Sequence, residues 1–335
     1  MTDRRIKVAV IGVGHLGRHH VRLLSQDPKA ELVGVVDSRE EVVEEVSKEY
    51  GVKGSTDYTA LAGGVDAVCI AVPTTRHHQI AGFFLQRGVD VLVEKPIAPS
   101  LEQGEELVEL ARAQGRILQV GHVERFNAAL KAIENLGLVP RYIESHRLAG
   151  MTFRSMDIGV VLDLMIHDLD LVSAMVGSPV EEVTAYGGAL FTQNEDIASA
   201  ILKFENGAVA HLTANRVALA PMRRMRFFCK DAYVSIDFHD AEGIVIRKKG
   251  DWDVGALDMQ SIDFSRIENL TKFVFEGLLS IERYKLDEGN PLADELSAFL
   301  RCVRDRSRPL VSGEEGVAAV ALATQILECI REHDW

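Results

Sequence analysis

The sequence predicts an α/β protein of two domains. The first is a doubly wound parallel sheet over about residues 1–122. The second, over 123–335, is an α+β domain built on an open, mostly antiparallel sheet. Three observations carry this. Short, nearly all-apolar runs alternate with helical patterns through the first third of the chain, the sequence form of a parallel sheet covered on both faces. A glycine-spaced turn follows the first of these runs directly, at positions 12, 14 and 17. From about Glu181 the pattern changes to consecutive strands with no helix between them.

Ile6–Ile11 is short, β-branched and apolar throughout, as a strand buried on both faces should be. The glycines lead into a helix from about His15 to Ser25, closed at Asp27-Pro28 because proline disfavours α geometry in the residue before it. Leu32–Val36 is a second strand ending at Asp37, and Val42, Val43 and Val46 share one face of the next helix. Strands follow at Ala67–Val72, Val89–Val93 and Ile117–Val120, with Ser100 and Gln103 forming a capping box for a helix through Ala113. Asn206-Gly207 lies between Ile197–Phe204 and Ala208–Asn215, which predicts a hairpin with a type I′ turn and two positive-φ residues. Further strands are expected at Arg224–Phe228, Tyr233–Phe238 and Ile244–Arg247, and helices at Pro291–Val303 and Glu314–Ile330.

Composition narrows the function. The chain has 335 residues, 47% hydrophobic and 26% charged, an ordinary globular balance. It carries 37 basic against 50 acidic residues, a formal charge of -13. That argues against nucleic acid or an anionic membrane as partner, because neutralising phosphates needs a surplus of Lys and Arg. No apolar run approaches the roughly 20 residues of a membrane span, and the charged start of the chain lacks a signal-peptide pattern. Cys69, Cys229, Cys302 and Cys329 are too scattered for a zinc knuckle or a disulfide framework. A cytoplasmic protein with reduced thiols is expected.

Three constellations carry chemistry. In Gly12-Val13-Gly14-His15-Leu16-Gly17, a G-x-G-x-x-G turn follows a buried strand and opens a helix, and Asp37 lies 20 positions after the last glycine. That is the dinucleotide fingerprint, with phosphates at the helix N-terminus and the acid on the ribose hydroxyls. Asp37 favours NAD over NADP, and Arg39 leaves some tolerance for NADP. Glu94-Lys95-Pro96 follows a strand at the sheet edge where ligands bind in such folds; a solvated loop lysine is the competing reading. Asp163 and His167 are four apart in an apolar run and share a face of a helix. They read as a packing pair, as metal ligands lacking further partners, or as an acid–base pair.

Taken together, these segments resemble the Gfo/Idh/MocA family of nicotinamide-dependent sugar oxidoreductases. The resemblance rests on Ala9 to Gly17, Val72-Pro73-Thr74 with His77, Glu94-Lys95-Pro96, Asp163 with His167, and Pro291-Leu292 with Glu295. It implies a Rossmann domain, and it implies that Lys95, Asp163 and His167 face the nicotinamide and the reacting carbon. It also implies that Ser38, Arg39, Ala71, Val72, Pro73, Thr74, His77 and Glu94 join the glycine turn in lining the cofactor. The family's second domain presents its sheet to another subunit, which implies a homodimer or homotetramer. A narrower resemblance is to the branch of that family that includes UDP-N-acetylglucosamine 3-dehydrogenases. It rests on Gly121-His122-Val123-Glu124-Arg125-Phe126-Asn127, on Asp157-Ile158-Gly159-Val160, on Glu195-Asp196-Ile197-Ala198 and on Ala214-Asn215-Arg216-Val217; Ala128 departs from the usual proline.

The resemblance implies oxidation of a sugar 3-hydroxyl to a ketone, feeding a 3-amino sugar such as that of lipid A. His167 would take the hydroxyl proton, Lys95 would stabilise the alkoxide and Asp163 would orient His167; Lys95 as the base is the alternative. No metal is called for. Two phosphates on an acidic protein require local cations, for which Arg125, Arg147, Arg154 and Arg216 are candidates, since Arg matches phosphate geometry. A fold-stabilising role is the competing reading for each. A dehydrogenase of inositol, another sugar or a UDP-sugar acid, and a non-catalytic nicotinamide sensor, are the alternative functions.

Overall fold

The computed structural model describes residues 4–128, 130, 137–151, 158–240, 242–250, 278–285 and 289–333. The chain forms two compact units, Met1–Asn127 with Asn290–Thr324, and Ala128–Gly289 with Gln325–Trp335.

The first unit is built on six strands, β1 (Ile6–Ile11), β2 (Ala30–Val36), β3 (Lys53–Ser55), β4 (Ala67–Ile70), β5 (Asp90–Glu94) and β6 (Leu118–Gly121). All pair in parallel in the order β3-β2-β1-β4-β5-β6. Chain order reverses direction between β1 and β4, the point where doubly wound sheets open a crevice at their carboxyl ends. Helices α1 (His15–Gln26), α2 (Glu40–Tyr50), α3 (His77–Leu85) and α4 (Leu101–Gln114) connect the strands. The edge strand β3 departs from the sequence reading: three residues, one of them Gly54, are too few to show a period. The capping box is half made. Ser100 accepts from the Gln103 backbone N–H, while Gln103 Oε1 meets no partner among the described residues.

Helix α6 (Pro291–Asp305, after α5, Ile166–Val176, of the second unit) also departs from the expected 123–335 domain. Asn290 caps it by accepting from the Ala293 N–H, and Pro291 occupies its first turn, where a missing donor is harmless. Its apolar stripe of Leu292, Leu296, Phe299, Leu300 and Val303 packs into the first unit's core with Ile6, Val8, Val21 and Leu24. Helix α7 (Gly313–Glu332) is divided between the units after Thr324.

The second unit holds β7 (Pro140–Leu148), α5 (Ile166–Val176), β8 (Val180–Gly188), β9 (Ile197–Phe204), β10 (Val209–Asn215), β11 (Met222–Cys229), β12 (Ala232–Asp237), β13 (Glu242–Lys248) and β14 (Leu279–Lys285). The eight strands run in the order β14-β13-β12-β11-β7-β10-β9-β8. Every pair is antiparallel except β7 with β10. Strand β7 is not legible in the sequence because two of its inward residues, Ser145 and Arg147, are polar. The hairpin between β9 and β10 forms, but not through a type I′ turn. Gly207 has φ +80° and Asn206 has none of that sign; Gly207 N–H donates to Phe204 O at 2.8 Å and Phe204 N–H to Ala208 O at 2.9 Å. This is the three-residue loop with a glycine bulge, held by Asn206 Oδ1 accepting from Ala208 N–H.

Candidate active site

In the first unit the site begins with backbone. Gly12 has φ +85°, and a Cβ there would lie 2.4 Å from Ala71 O. At Gly17 a Cβ would lie 1.8 Å from Gly12 O, so the turn and helix α1 touch through bare backbone. Gly14 is different: a Cβ would meet only Arg39 Nη2, at 3.5 Å, which leaves an open approach at the N-terminus of α1. No side chain caps that end and no acidic residue lies in its first turn, so its N–H groups and partial positive charge are suited to an anion.

Asp37 is buried just past β2 and accepts from Val13 N–H at 3.0 Å. Arg39 forks onto it, Nε to Oδ1 at 3.0 Å and Nη2 to Oδ2 at 3.2 Å. Burial raises the Asp37 pKa, but the hydrogen bonds from Arg39 and Val13 outweigh it and hold the carboxyl below its usual range. A cavity of about 460 Å³ is walled by Gly12, Gly14, Asp37, Ser38, Arg39, Ala71, Val72 and Pro73, a size within the range of small-molecule sites. The strand ends Ile11 and Val36 also line it, as do Thr56, Tyr58, Arg76 and Ile80, four residues that no pattern in the sequence singles out. An open phosphate approach, an ionised ribose acceptor and an apolar wall together fit a dinucleotide. Val13, His15, Leu16, Gly17, Thr74, Glu94 and Lys95 lie outside that wall; Val13 contributes its N–H and a buried side chain.

Two residues expected to line the cofactor do something else. His77 is 1% exposed, with Nδ1 2.8 Å from Pro96 O and Nε2 2.9 Å from Val72 O. Burial lowers its pKa and the two carbonyls raise it; burial prevails. Glu94 is buried at the end of β5, its Oε1 2.9 Å from His20 Nε2. Lys95 follows, half-buried, and the Lys95–Pro96 peptide is cis. His122, fully buried after β6, is pushed down to about 3 by burial and by the positive charges of Lys95 and Arg125, so it stays neutral. Arg125 is half-buried, with Nη2 3.4 Å from Leu310 O.

In the second unit Asp163 and His167 are half-buried rather than buried. Asp163 lies in a single π-helical turn, Val161–Met165, and His167 is the second residue of α5. The Ile166 N–H reaches back to Val161 O, so the turn is one residue wider than the α-helix the spacing suggests. Such turns concentrate at functional sites. Its entry is held by Glu195, whose Oε1 accepts from Val161 N–H at 3.0 Å. Gly159 makes room: a Cβ there would lie 1.9 Å from Glu195 Oε1. Asp196 beside it accepts from the N–H groups of Leu190, Phe191 and Thr192. Burial raises its pKa, but these donors and the Thr192 hydroxyl hold the carboxyl down at about 2.

Two of the arginine candidates are committed to the fold. Arg147 is 7% exposed and pairs in bidentate fashion with Asp168, Nη2 to Oδ1 at 2.7 Å and Nε to Oδ2 at 3.1 Å. Arg216, also buried, donates to Ile158 O at 2.6 Å and faces Asp196 at 3.6 Å. Arg154 lies outside the described residues. Among the described residues no group of three or more His, Cys, Asp or Glu is placed to hold a metal ion, and no helix is long and apolar enough to cross a membrane.

Among known proteins, residues 6–122 match the oxidoreductase family with an NAD-binding Rossmann fold, and residues 144–235 match the GFO/IDH/MocA C-terminal domain. A UDP-N-acetylglucosamine 3-dehydrogenase from Acidithiobacillus ferrooxidans is 40% identical over 234 residues, covering 70% of this chain and 74% of its own. A crystal form of that organism's enzyme superposes with a TM-score of 0.86 at 32% identity, covering 98% of both chains. A scyllo-inositol 2-dehydrogenase (NAD(+)) from Bacillus subtilis is 27% identical, covering 95% of this chain and 94% of its own.

Proposed function

The chain belongs to the Gfo/Idh/MocA family of NAD-binding oxidoreductases, dehydrogenases acting on CH–OH groups, and on that premise we propose that it oxidises the 3-hydroxyl of UDP-N-acetylglucosamine to the ketone. The observation that carries the substrate is the 40% identity over 234 residues with the Acidithiobacillus enzyme, covering 70% of this chain and 74% of that one. When bound, NAD supplies the hydride acceptor. The phosphates would rest on the α1 N-terminus beside Gly14, and the adenine ribose on Asp37. NADP would bind less well, because Asp37 repels a 2′-phosphate while Arg39 offsets part of that repulsion.

His167 takes the proton of the 3-hydroxyl, Lys95 stabilises the oxygen as it becomes negative, and Asp163 keeps His167 in the accepting tautomer. An exchange of roles between Lys95 and His167 keeps the same balance: one proton leaves the hydroxyl as the C3 hydrogen leaves with its electron pair. With Arg147 and Arg216 committed to the fold, Arg125 and Arg154 remain the candidates for the UDP phosphates. The second unit's sheet also suits a homo-oligomer, since exposed Tyr142 and Phe228 (ring centroids 5.8 Å apart) continue into half-buried Tyr233 (5.2 Å from Phe228) as an aromatic row on it.

The test is NADH formation from NAD+ on adding UDP-N-acetylglucosamine, with UDP-N-acetylgalactosamine and myo-inositol in parallel. Turnover confined to inositol would replace the nucleotide sugar with the second reading, which the Bacillus enzyme's near full-length match supports. In the same assay His167→Ala should lower kcat by about 10²–10⁴-fold, the usual contribution of a general base, with NADH affinity nearly intact. Wild-type turnover in that variant would remove His167 from the mechanism.

A further inference from the structure

Each neighbour of Lys95 is held by a buried histidine from a different helix. His20 of α1 is 0% exposed and meets the Glu94 carboxylate at 2.9 Å. Its Nδ1 has no partner among the described residues, so the economical tautomer carries its proton on Nε2 and donates it to Glu94. His77 of α3 lies with Nδ1 2.8 Å from the Pro96 carbonyl and Nε2 2.9 Å from the Val72 carbonyl. Kept neutral by burial, the ring has a single N–H to donate, and the clamp requires it on Nδ1, toward Pro96. Both carbonyls lie past the ends of their strands, β4 and β5, where no ladder satisfies them. The proposed chemistry uses neither histidine.

We propose that His20 and His77 are positioning residues: a clamp that fixes the turn bearing Lys95, registering it to the dinucleotide helix α1 on one side and to the Val72 segment of the cofactor cavity on the other. This rests on the reading of Lys95 as a group acting at the reacting hydroxyl. The alternative, that both rings are core filling, fits poorly. A buried polar ring is costly unless hydrogen-bonded, and an apolar side chain would fill either space without that cost. Nor could an apolar residue offer an N–H to the Pro96 carbonyl, 19 positions away in the chain. Lysine is a flexible stem with a point charge at its tip, so its aim depends on how firmly its backbone is held. A displacement of about 1 Å at a reacting group is enough to lose about 10²-fold in rate.

Amide side chains separate the two roles. Gln can place an N–H near the position of His Nε2, and Asn near that of Nδ1. With NAD+ and UDP-N-acetylglucosamine, His20→Asn should lower kcat by about ten- to a hundred-fold, with KM for NAD+ little changed, and His20→Gln should recover most of the loss. At position 77, Asn, which keeps an N–H on the Pro96 side, should retain more kcat than Gln, which moves it to the Val72 side. A second readout needs neither substrate nor cofactor: the pH dependence of Lys95 acetylation by acetic anhydride, followed by mass spectrometry on the intact protein. That profile should shift in His20→Asn and His77→Gln and stay put in His78→Asn, whose ring pairs with Glu106 at the surface. Wild-type kcat together with an unmoved Lys95 profile in His20→Asn and His77→Gln would overturn the clamp. A lowered melting temperature with an unmoved profile and no rescue by His20→Gln would do the same, leaving a packing role. Lys95→Ala separates this from the parent reading: turnover persisting there would dismiss Lys95 from the chemistry, and the acetylation profile would then decide the clamp alone.

Discussion

The two units build their candidate sites from different materials. In the first, the site is mostly backbone: the bare turn at Gly12, Gly14 and Gly17, the uncapped end of α1 and the carbonyls past β4 and β5. In the second it is side chains on a scaffold held by other side chains. Glu195 ties the entry of the π-helical turn, Asp196 gathers three backbone N–H groups, and Arg147 and Asp168 neutralise each other beneath the sheet. A backbone site constrains residue type, because only glycine fits certain positions. A side-chain site constrains partners, and partners are chosen by the fold.

The largest test of that contrast is Arg147. If its guanidinium is a structural counter-ion, Arg147→Ala strands the Asp168 carboxylate and should cost about 3–5 kcal/mol of stability in urea unfolding. The paired change Arg147→Met with Asp168→Leu should recover most of it, since a buried ion pair is replaceable by apolar volume. A variant with wild-type stability and lost affinity for the UDP-sugar would instead return Arg147 to the phosphate-binding role that its residue type suggests.

Legibility in the sequence follows the same division. The glycine turn, Asp37 and the alternation of buried strands and helices can be read directly, because turn geometry and two-sided burial each demand particular residues in a fixed order. The apolar stripe of α6 is equally plain in the sequence, yet nothing there says which unit it packs into; that depends on the surface it finds. Strand β7 is hidden because its buried face carries Ser145 and Arg147 in place of apolar residues. Among the site residues, His77 and Glu94 are legible as belonging to the site but not in what they do: both are turned inward to buried partners, His77 to the Pro96 and Val72 carbonyls and Glu94 to His20, which no local pattern marks. Asp163 and His167 read as helical neighbours, and the extra residue in the π-helical turn leaves no trace in their spacing.

A smaller effect comes from Asp196. Its carboxyl is held near 2, well under its value of about 3.9 in an unfolded chain. A depressed pKa stabilises the fold above the unfolded value, and that contribution is lost as pH falls from about 4 towards 2. Asp196→Asn should therefore be on the order of 2 kcal/mol less stable than the wild type at pH 7. The gap should narrow as both are acidified, in denaturant titrations at stepwise lower pH. A pH-independent gap would mean that the amide fails for steric reasons and that the three donated N–H groups do not depend on the negative charge.

The finest test lies within the glycine turn itself, where the two kinds of backbone demand can be separated. A methyl at Gly17 would fall 1.8 Å from Gly12 O, so Gly17→Ala must shift the turn against α1 and should lose about 1–3 kcal/mol of stability. A methyl at Gly14 would meet nothing closer than Arg39 Nη2 at 3.5 Å, on a residue with ordinary negative φ. Gly14→Ala should therefore unfold within about 0.5 kcal/mol of the wild type. It should nonetheless bind NADH roughly tenfold more weakly, because the methyl stands where the pyrophosphate must approach the backbone. Fluorescence titration of NADH alongside thermal unfolding separates the two variants. If Gly14→Ala binds NADH as tightly as the wild type, the phosphates do not rest at the end of α1, and the open space beside Gly14 must be explained by something other than a dinucleotide.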